Sequence, residues 1–119
     1  MDIESLLEEN ETSRALYDAL RTLMDRIGTA NLVISKSQVA FRRKRAFAWV
    51  WIPGQYLKRA GLAPLVLTLV FSYADKSPRW KEIVEPAFGK FTHHLELWDL
   101  KDVDSQVEAW LRKAWDEAG

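Results

Sequence analysis

An α+β domain is the fold the sequence predicts: an antiparallel sheet of about five strands with N-terminal and C-terminal helices packed on it. Two observations carry that expectation. Apolar residues recur at helical period near both ends of the chain. Between them the pattern changes to short β-branched and aromatic runs separated by turn residues. The chain of 119 residues is read as one domain, 1–119, with residues 1–10 as a short N-terminal arm. A domain of this length buries roughly two-thirds of the surface its unfolded chain exposes, which is enough for one core without covalent staples.

Each element has its own justification. Residues 2–8 form a short amphipathic turn with Ile3, Leu6 and Leu7 on its apolar side. Leu16, Leu20, Leu23, Met24 and Ile27 make one stripe at helical spacing, so a helix is expected over about 12–27. Asn10 or Thr12 caps its start, and Gly28 stands where a left-handed stop belongs. Residues 31–35, 38–43 and 45–52 then read as three strands, rich in Val, Ile, Phe and Trp. The short join at Arg43-Lys44-Arg45 makes the second and third an antiparallel hairpin, and Pro53-Gly54 ends the third. One helical turn is expected over residues 55–60.

Residues 65–73 are apolar apart from Thr68 and Ser72, the pattern of a central strand buried on both faces. Ser77-Pro78 resembles a cap followed by proline at the first helical position. It predicts a short helix to about Val84, with an irregular strand over 80–85 as the alternative. A fifth strand follows over 91–97. From Asp102 onward Val103, Val107, Trp110, Leu111 and Ala114 return to helical spacing, with Asp102 or Asp104 as the cap.

Formal charge is zero, yet the signs are segregated. Residues 26–74 hold eight basic residues and no acid, whereas the segments on either side are net acidic. Such a block attracts an anion (phosphate, nucleic acid or an acidic partner) or else pairs with the acidic ends of its own fold. There is no cysteine, which excludes disulfides, cysteine nucleophiles and thiolate metal sites. Met1-Asp2-Ile3-Glu4 is acidic where a signal peptide is basic and then apolar. The longest apolar run is about half a membrane span. A cytoplasmic domain with no membrane association is expected.

Catalytic signatures are missing. The five glycines are scattered at 28, 54, 61, 89 and 119, and there is no Gly-x-Ser-x-Gly or His-Glu-x-x-His. No catalytic residue, metal ligand or cofactor is assigned. His93-His94-x-Glu96 is the one cluster of titratable groups. Strand parity places Phe91, His93, Leu95 and Leu97 on one face and Thr92, His94, Glu96 and Trp98 on the other, so the two histidines do not share a metal. Lys36, between two strands, is placed either to line a pocket or to sit in solvent. Phe47, Trp49 and Trp51 share one face of the third strand, either as core or as a stacking platform beside Arg42, Arg43 and Arg45.

Two strings stand out together: Lys36-Ser37-Gln38-Val39-Ala40-Phe41, continuing at Arg45-Ala46-Phe47-Ala48-Trp49-Val50-Trp51, and residues 77–86, Ser-Pro-Arg-Trp-Lys-Glu-Ile-Val-Glu-Pro, followed by His93-His94 and Trp110-Leu111. Their order and spacing resemble a family of small, uncharacterised bacterial α+β domains catalogued as a domain of unknown function. Some of its members are labelled predicted transport proteins, and related domains are fused to restriction-type proteins. The resemblance runs from about Leu16 to Ala114. It implies an α+β domain and supplies no established activity. Trp80 stands where that family leads one to expect a smaller aliphatic residue, and Ala87-Phe88 where polar residues are expected.

The functional expectation is a non-catalytic binding domain that recognises an anionic ligand or nucleic acid through its basic β-hairpin. Its expected ligand-binding residues are Lys36, Gln38, Arg42, Arg43, Arg45, Arg79, His93 and His94. The alternatives are a small enzyme using His93 or His94 with Lys36, or a structural domain that forms a homodimer.

Overall fold

Three short polar side chains start the three helices. Asp2 accepts from the Ser5 amide at 2.9 Å to open α1 (Ile3–Glu9), and Asn10 accepts from the Ser13 amide at 3.1 Å to open α2 (Glu11–Ile27). Asp104 does the same from the Val107 amide at 3.1 Å for α3 (Ser105–Glu117). The expected N-terminal turn is therefore a full short helix, and of each pair of candidate caps Asn10 and Asp104 are the ones used. These elements belong to a computed structural model that describes residues 2–55, 57 and 60–119. The helical turn expected over 55–60 lies in part outside the described residues; Pro53–Gln55 forms a single 3-10 turn.

The strands are β1 (Asn31–Ile34), β2 (Val39–Arg42), β3 (Ala46–Trp51), β4 (Leu65–Phe71), β5 (Glu82–Ala87) and β6 (Lys90–Leu97). They form one antiparallel sheet in the order β1-β2-β3-β4-β6-β5, one strand more than expected. The fold is α+β, with the N-terminal helices and the C-terminal helix packed against the sheet. α2 contributes Leu16, Leu20, Leu23, Met24 and Ile27 to the core and α3 contributes Val107, Trp110, Leu111 and Ala114. They meet Val39, Phe41, Val50, Leu67, Leu69, Phe71, His93 and Leu95 from the inner face of the sheet. β4 lies between β3 and β6 and is buried along nearly its whole length, as its composition predicted. No helix among the described residues is long and apolar enough to cross a membrane.

The sequence reading needs three corrections. Residues 78–84 are a turn followed by β5 rather than a helix, which favours the alternative of an irregular strand in this segment. Ser77 does accept from the Arg79 amide at 3.2 Å, but Lys81 then donates its amide to the His94 carbonyl at 2.8 Å and the chain joins the sheet. Long-range pairing overrides the local cap signal, and Pro86 is tolerated because β5 is an edge strand.

Phe47 does not share a face with Trp49 and Trp51. Phe41 pairs with Ala48 while Arg42 pairs with Ala46, so a bulge leaves Phe47 as an extra residue and turns it into the core at 1% exposure. Gly28 is extended (φ 163°) rather than left-handed. It is glycine because the Trp115 ring lies against its α-carbon, where a Cβ would meet that ring.

Candidate functional site

The alternation that sends Val50, Leu67 and Leu95 into the core sends their neighbours to the opposite side of the sheet, which no described helix covers. One register row crosses that open face: Val33, Ala40, Trp49, Thr68, His94 and Glu82, each opposite the next on the adjoining strand. Small Thr68 lies between Trp49 and His94, and Trp51 stands one pleat along β3. The height difference opens a hollow of about 380 Å³ lined by Gln38, Trp49, Trp51, Thr68, Thr92 and His94.

Its floor is ordered by hydrogen bonds. Trp51 donates its indole N–H to the Thr68 hydroxyl oxygen at 2.9 Å, and that hydroxyl lies 2.8 Å from His94 Nδ1. Trp51 can only donate, so among the described contacts His94 Nδ1 is the one acceptor for the Thr68 hydroxyl proton, the arrangement that leaves hydrogen on Nε2. Burial holds the His94 pKa below the usual histidine value, against a smaller upward pull from Glu82 across the strand pair. A neutral imidazole with one outward donor is the result.

A second hollow adjoins the first at Trp49. Arg42, Arg45, Ala46, Val70, Phe88 and Lys90 line it, with Trp49 shared. Phe88, at the tip of the β5–β6 hairpin, is fully exposed. Arg42 and Lys90 make no ion pair among the described residues, so aromatic surface and free cations meet at one end of the face.

Two hairpin cations, Arg43 and Arg45, are bound to the fold itself, and the Lys44 backbone joins them. Arg43 donates to the Trp115 carbonyl at 2.9 Å and stacks 3.6 Å from the Trp115 ring centre, Arg45 donates to the Glu117 carbonyl at 2.7 Å, and the Lys44 amide donates to the Ala118 carbonyl at 3.0 Å. Together they cap the C-terminal end of α3, where unpaired carbonyls and the helix dipole favour positive charge. The basic block thus divides into cations that hold α3 and cations that face solvent.

A family model for a domain of unknown function, DUF5655, matches residues 3–118. The chain belongs to the DUF5655 family. No curated protein and no solved structure matches it.

In this DUF5655 domain the other expected site residues are dispersed. His93 is completely buried: its Nδ1 donates to the Phe91 carbonyl at 2.9 Å and its Nε2 accepts from the Asp75 amide at 2.9 Å. Both nitrogens are used and the ring packs edge-on against Phe71 and Trp80, so His93 is a core residue that anchors the β4–β5 connection. Arg79 is committed to Asp104, Gln106 and the Asp102 carbonyl, with its guanidinium over Trp110. Lys36 lies at the β1–β2 turn in a separate hollow with Asp2, Glu4 and Ser35. Of the eight expected residues, Gln38 and His94 share the first hollow and Arg42 and Arg45 line the second. Thr68, Thr92, Phe88 and Lys90 were missed. Thr68 had a signal, as one of two polar residues in the most apolar strand.

Proposed function

We propose that this DUF5655 domain is a cytoplasmic, non-catalytic binding module that takes single-stranded nucleic acid across the helix-free face of its sheet. Trp49, Trp51 and Phe88 stack bases, while Arg42 and Lys90 hold the phosphate backbone. The observation that supports this best is the position of Trp49, shared between an aromatic hollow with polar edges and a hollow lined by cations. Base stacking is worth about 1–3 kcal/mol per base, and flat sheet faces bearing aromatics suit splayed bases better than a closed duplex. Glu82 and Glu96 lie away from the cation-lined end of the face, and the two carboxylates that adjoin it are taken up by the fold, Glu117 by Ser72 and Glu85 by the Gly89 amide. The enzymatic alternative is weakened by the separation of Lys36 from His94 and by the structural use of both His93 nitrogens.

Fluorescence anisotropy with labelled single-stranded and duplex oligonucleotides tests the reading. Single strands are expected to bind at low salt with a log–log salt slope of roughly −1.4, for about two phosphate contacts. Replacing Arg42 and Lys90 together by Gln flattens the slope with the melting temperature retained. Absence of binding at low salt, equal affinity for duplex, or indifference to the double change would refute it.

A further inference from the structure

We propose that the hollow over Thr68 is a station for one nucleobase, stacked on the Trp49 indole and read at an acceptor on its ring edge by the His94 Nε2–H. This deepens the binding reading above by naming what the first hollow takes, and it also applies to a free nucleoside that carries no phosphate.

The dimensions come from the sheet. Trp49 and His94 sit on β3 and β6 with β4 between them, two strand spacings apart, or about 9.6 Å between backbones. Side chains stand roughly perpendicular to the sheet, and the small Thr68 leaves the interval above it open. The Trp51 ring stands 6.2 Å from the His94 ring at 86° and closes one side of it. The Trp49 indole offers a face to a planar ring, and His94, whose Nδ1 edge meets Thr68, offers a hydrogen-bonding edge rather than a second stacking face.

The chemistry comes from the Thr68 relay. A lone histidine on a sheet face presents either nitrogen as donor or acceptor. Here the Trp51 indole can only donate to Thr68, so His94 Nδ1 is the one described acceptor for the Thr68 hydroxyl proton, and that arrangement leaves hydrogen on Nε2. Burial favours the neutral ring, so Nε2 stays a single, fixed donor. Every nucleobase carries a carbonyl oxygen or ring nitrogen to accept it. Gln38, at the margin of the same hollow, supplies an amide that donates and accepts toward the rest of the ring edge. Thr68 is thus a positioning residue and His94 the contact.

The experiment uses uridine and adenosine, without phosphate, titrated into the full chain. Tryptophan emission reports occupancy and the ¹⁵N resonances of the His94 ring report its tautomer. Saturable quenching in the millimolar range is expected, with a shift of the protonated Nε2 signal as either nucleoside binds. Thr68→Val retains the shape and removes the relay. It should weaken binding about fivefold, the scale of one neutral hydrogen bond, and release the fixed tautomer in the ¹⁵N spectrum. His94→Phe retains a ring wall without the donor and is expected to weaken binding similarly, which keeps the test valid if the Thr68 variant folds poorly. No saturable response to either nucleoside, an unmoved His94 resonance, or unchanged affinity in both variants would overturn the proposal. Oligonucleotides binding with the expected salt slope while nucleosides do not would refute the station and leave the polyanion reading standing. Nucleosides binding as described without oligonucleotide binding would support the station and refute that reading.

Discussion

Arg42 and Arg43 are adjacent in sequence and opposite in expected behaviour, which makes Arg43→Gln the most informative single substitution. Arg43 loses a charge-assisted hydrogen bond to the Trp115 carbonyl and a close stack on the Trp115 ring. A hydrogen bond to a charged group contributes about 1.5–3 kcal/mol, and a partly exposed cation–π contact about 0.5–1 kcal/mol. Solvent reaches the half-buried Arg43, and Gln retains part of the stem and a weaker donor, so a net loss of about 2 kcal/mol is expected. For a domain of this length that lowers the melting temperature by about 8 °C. Arg42→Gln removes a solvated cation and is expected to change stability by less than about 0.5 kcal/mol while reducing the salt slope of oligonucleotide binding by about 0.7. Thermal melting by circular dichroism and anisotropy titrations on both variants measure the two effects separately. Equal melting temperatures for the two, or a salt slope that responds to Arg43 alone, would refute the division of the basic block into helix-capping and ligand-facing halves.

Trp110→Ala is expected to cost about 3–5 kcal/mol in urea denaturation, because Trp110 is buried, stacks at 4.2 Å centre-to-centre on Trp80 and lies beneath Arg79. Gly28→Ala is expected to destabilise by about 1–3 kcal/mol, since the new methyl meets the Trp115 ring; the same melts check it, and a stabilised variant would contradict the close approach. Burial lowers the pKa of both His93 and His94, so the unfolded chain takes up protons first as pH falls. Their contribution is present above about pH 6.5 and is lost as pH drops below that value toward their folded-state pKa values, so the urea midpoint should be lower at pH 5 than at pH 7.5.

The helices were legible because their information is local. An apolar stripe at helical spacing and a capping side chain just before it lie within a few residues of each other, as with Asn10 and Leu16 or Asp104 and Val107. Parity was legible along β6 for the same reason, and it placed His93 and His94 on opposite faces of the sheet. What escaped the sequence was decided by distant partners. Ser77-Pro78 announces a helix that pairing with β6 prevents, and the bulge that turns Phe47 inward arises from a register shift against β2. Arg43 finds Trp115 across 72 residues of chain, so nothing near the hairpin marks it as a helix cap. Thr68 looked like an interruption in an apolar run until its register neighbours Trp49 and His94 were known.

The strand order carries a consequence for how the chain assembles. β1 to β4 follow one another as neighbours, so that part of the sheet can grow by successive local hairpins. The last position breaks the progression: β6, not β5, lies beside β4. The growing meander cannot add β5 and then extend; β6 has to reach β4, alone or already paired with β5, with the connection after β4 looped across the sheet end. That connection is held by Asp75 on His93, a residue of the arriving strand, and by the Trp80 indole on the Asp75 carboxylate at 2.8 Å. It gains its anchor only when β6 is in place. Until then the hydrogen-bonding edge of β4 stands open, the most apolar strand of the chain presented to any strand that reaches it first, including the β6 of another copy during synthesis or refolding at high concentration.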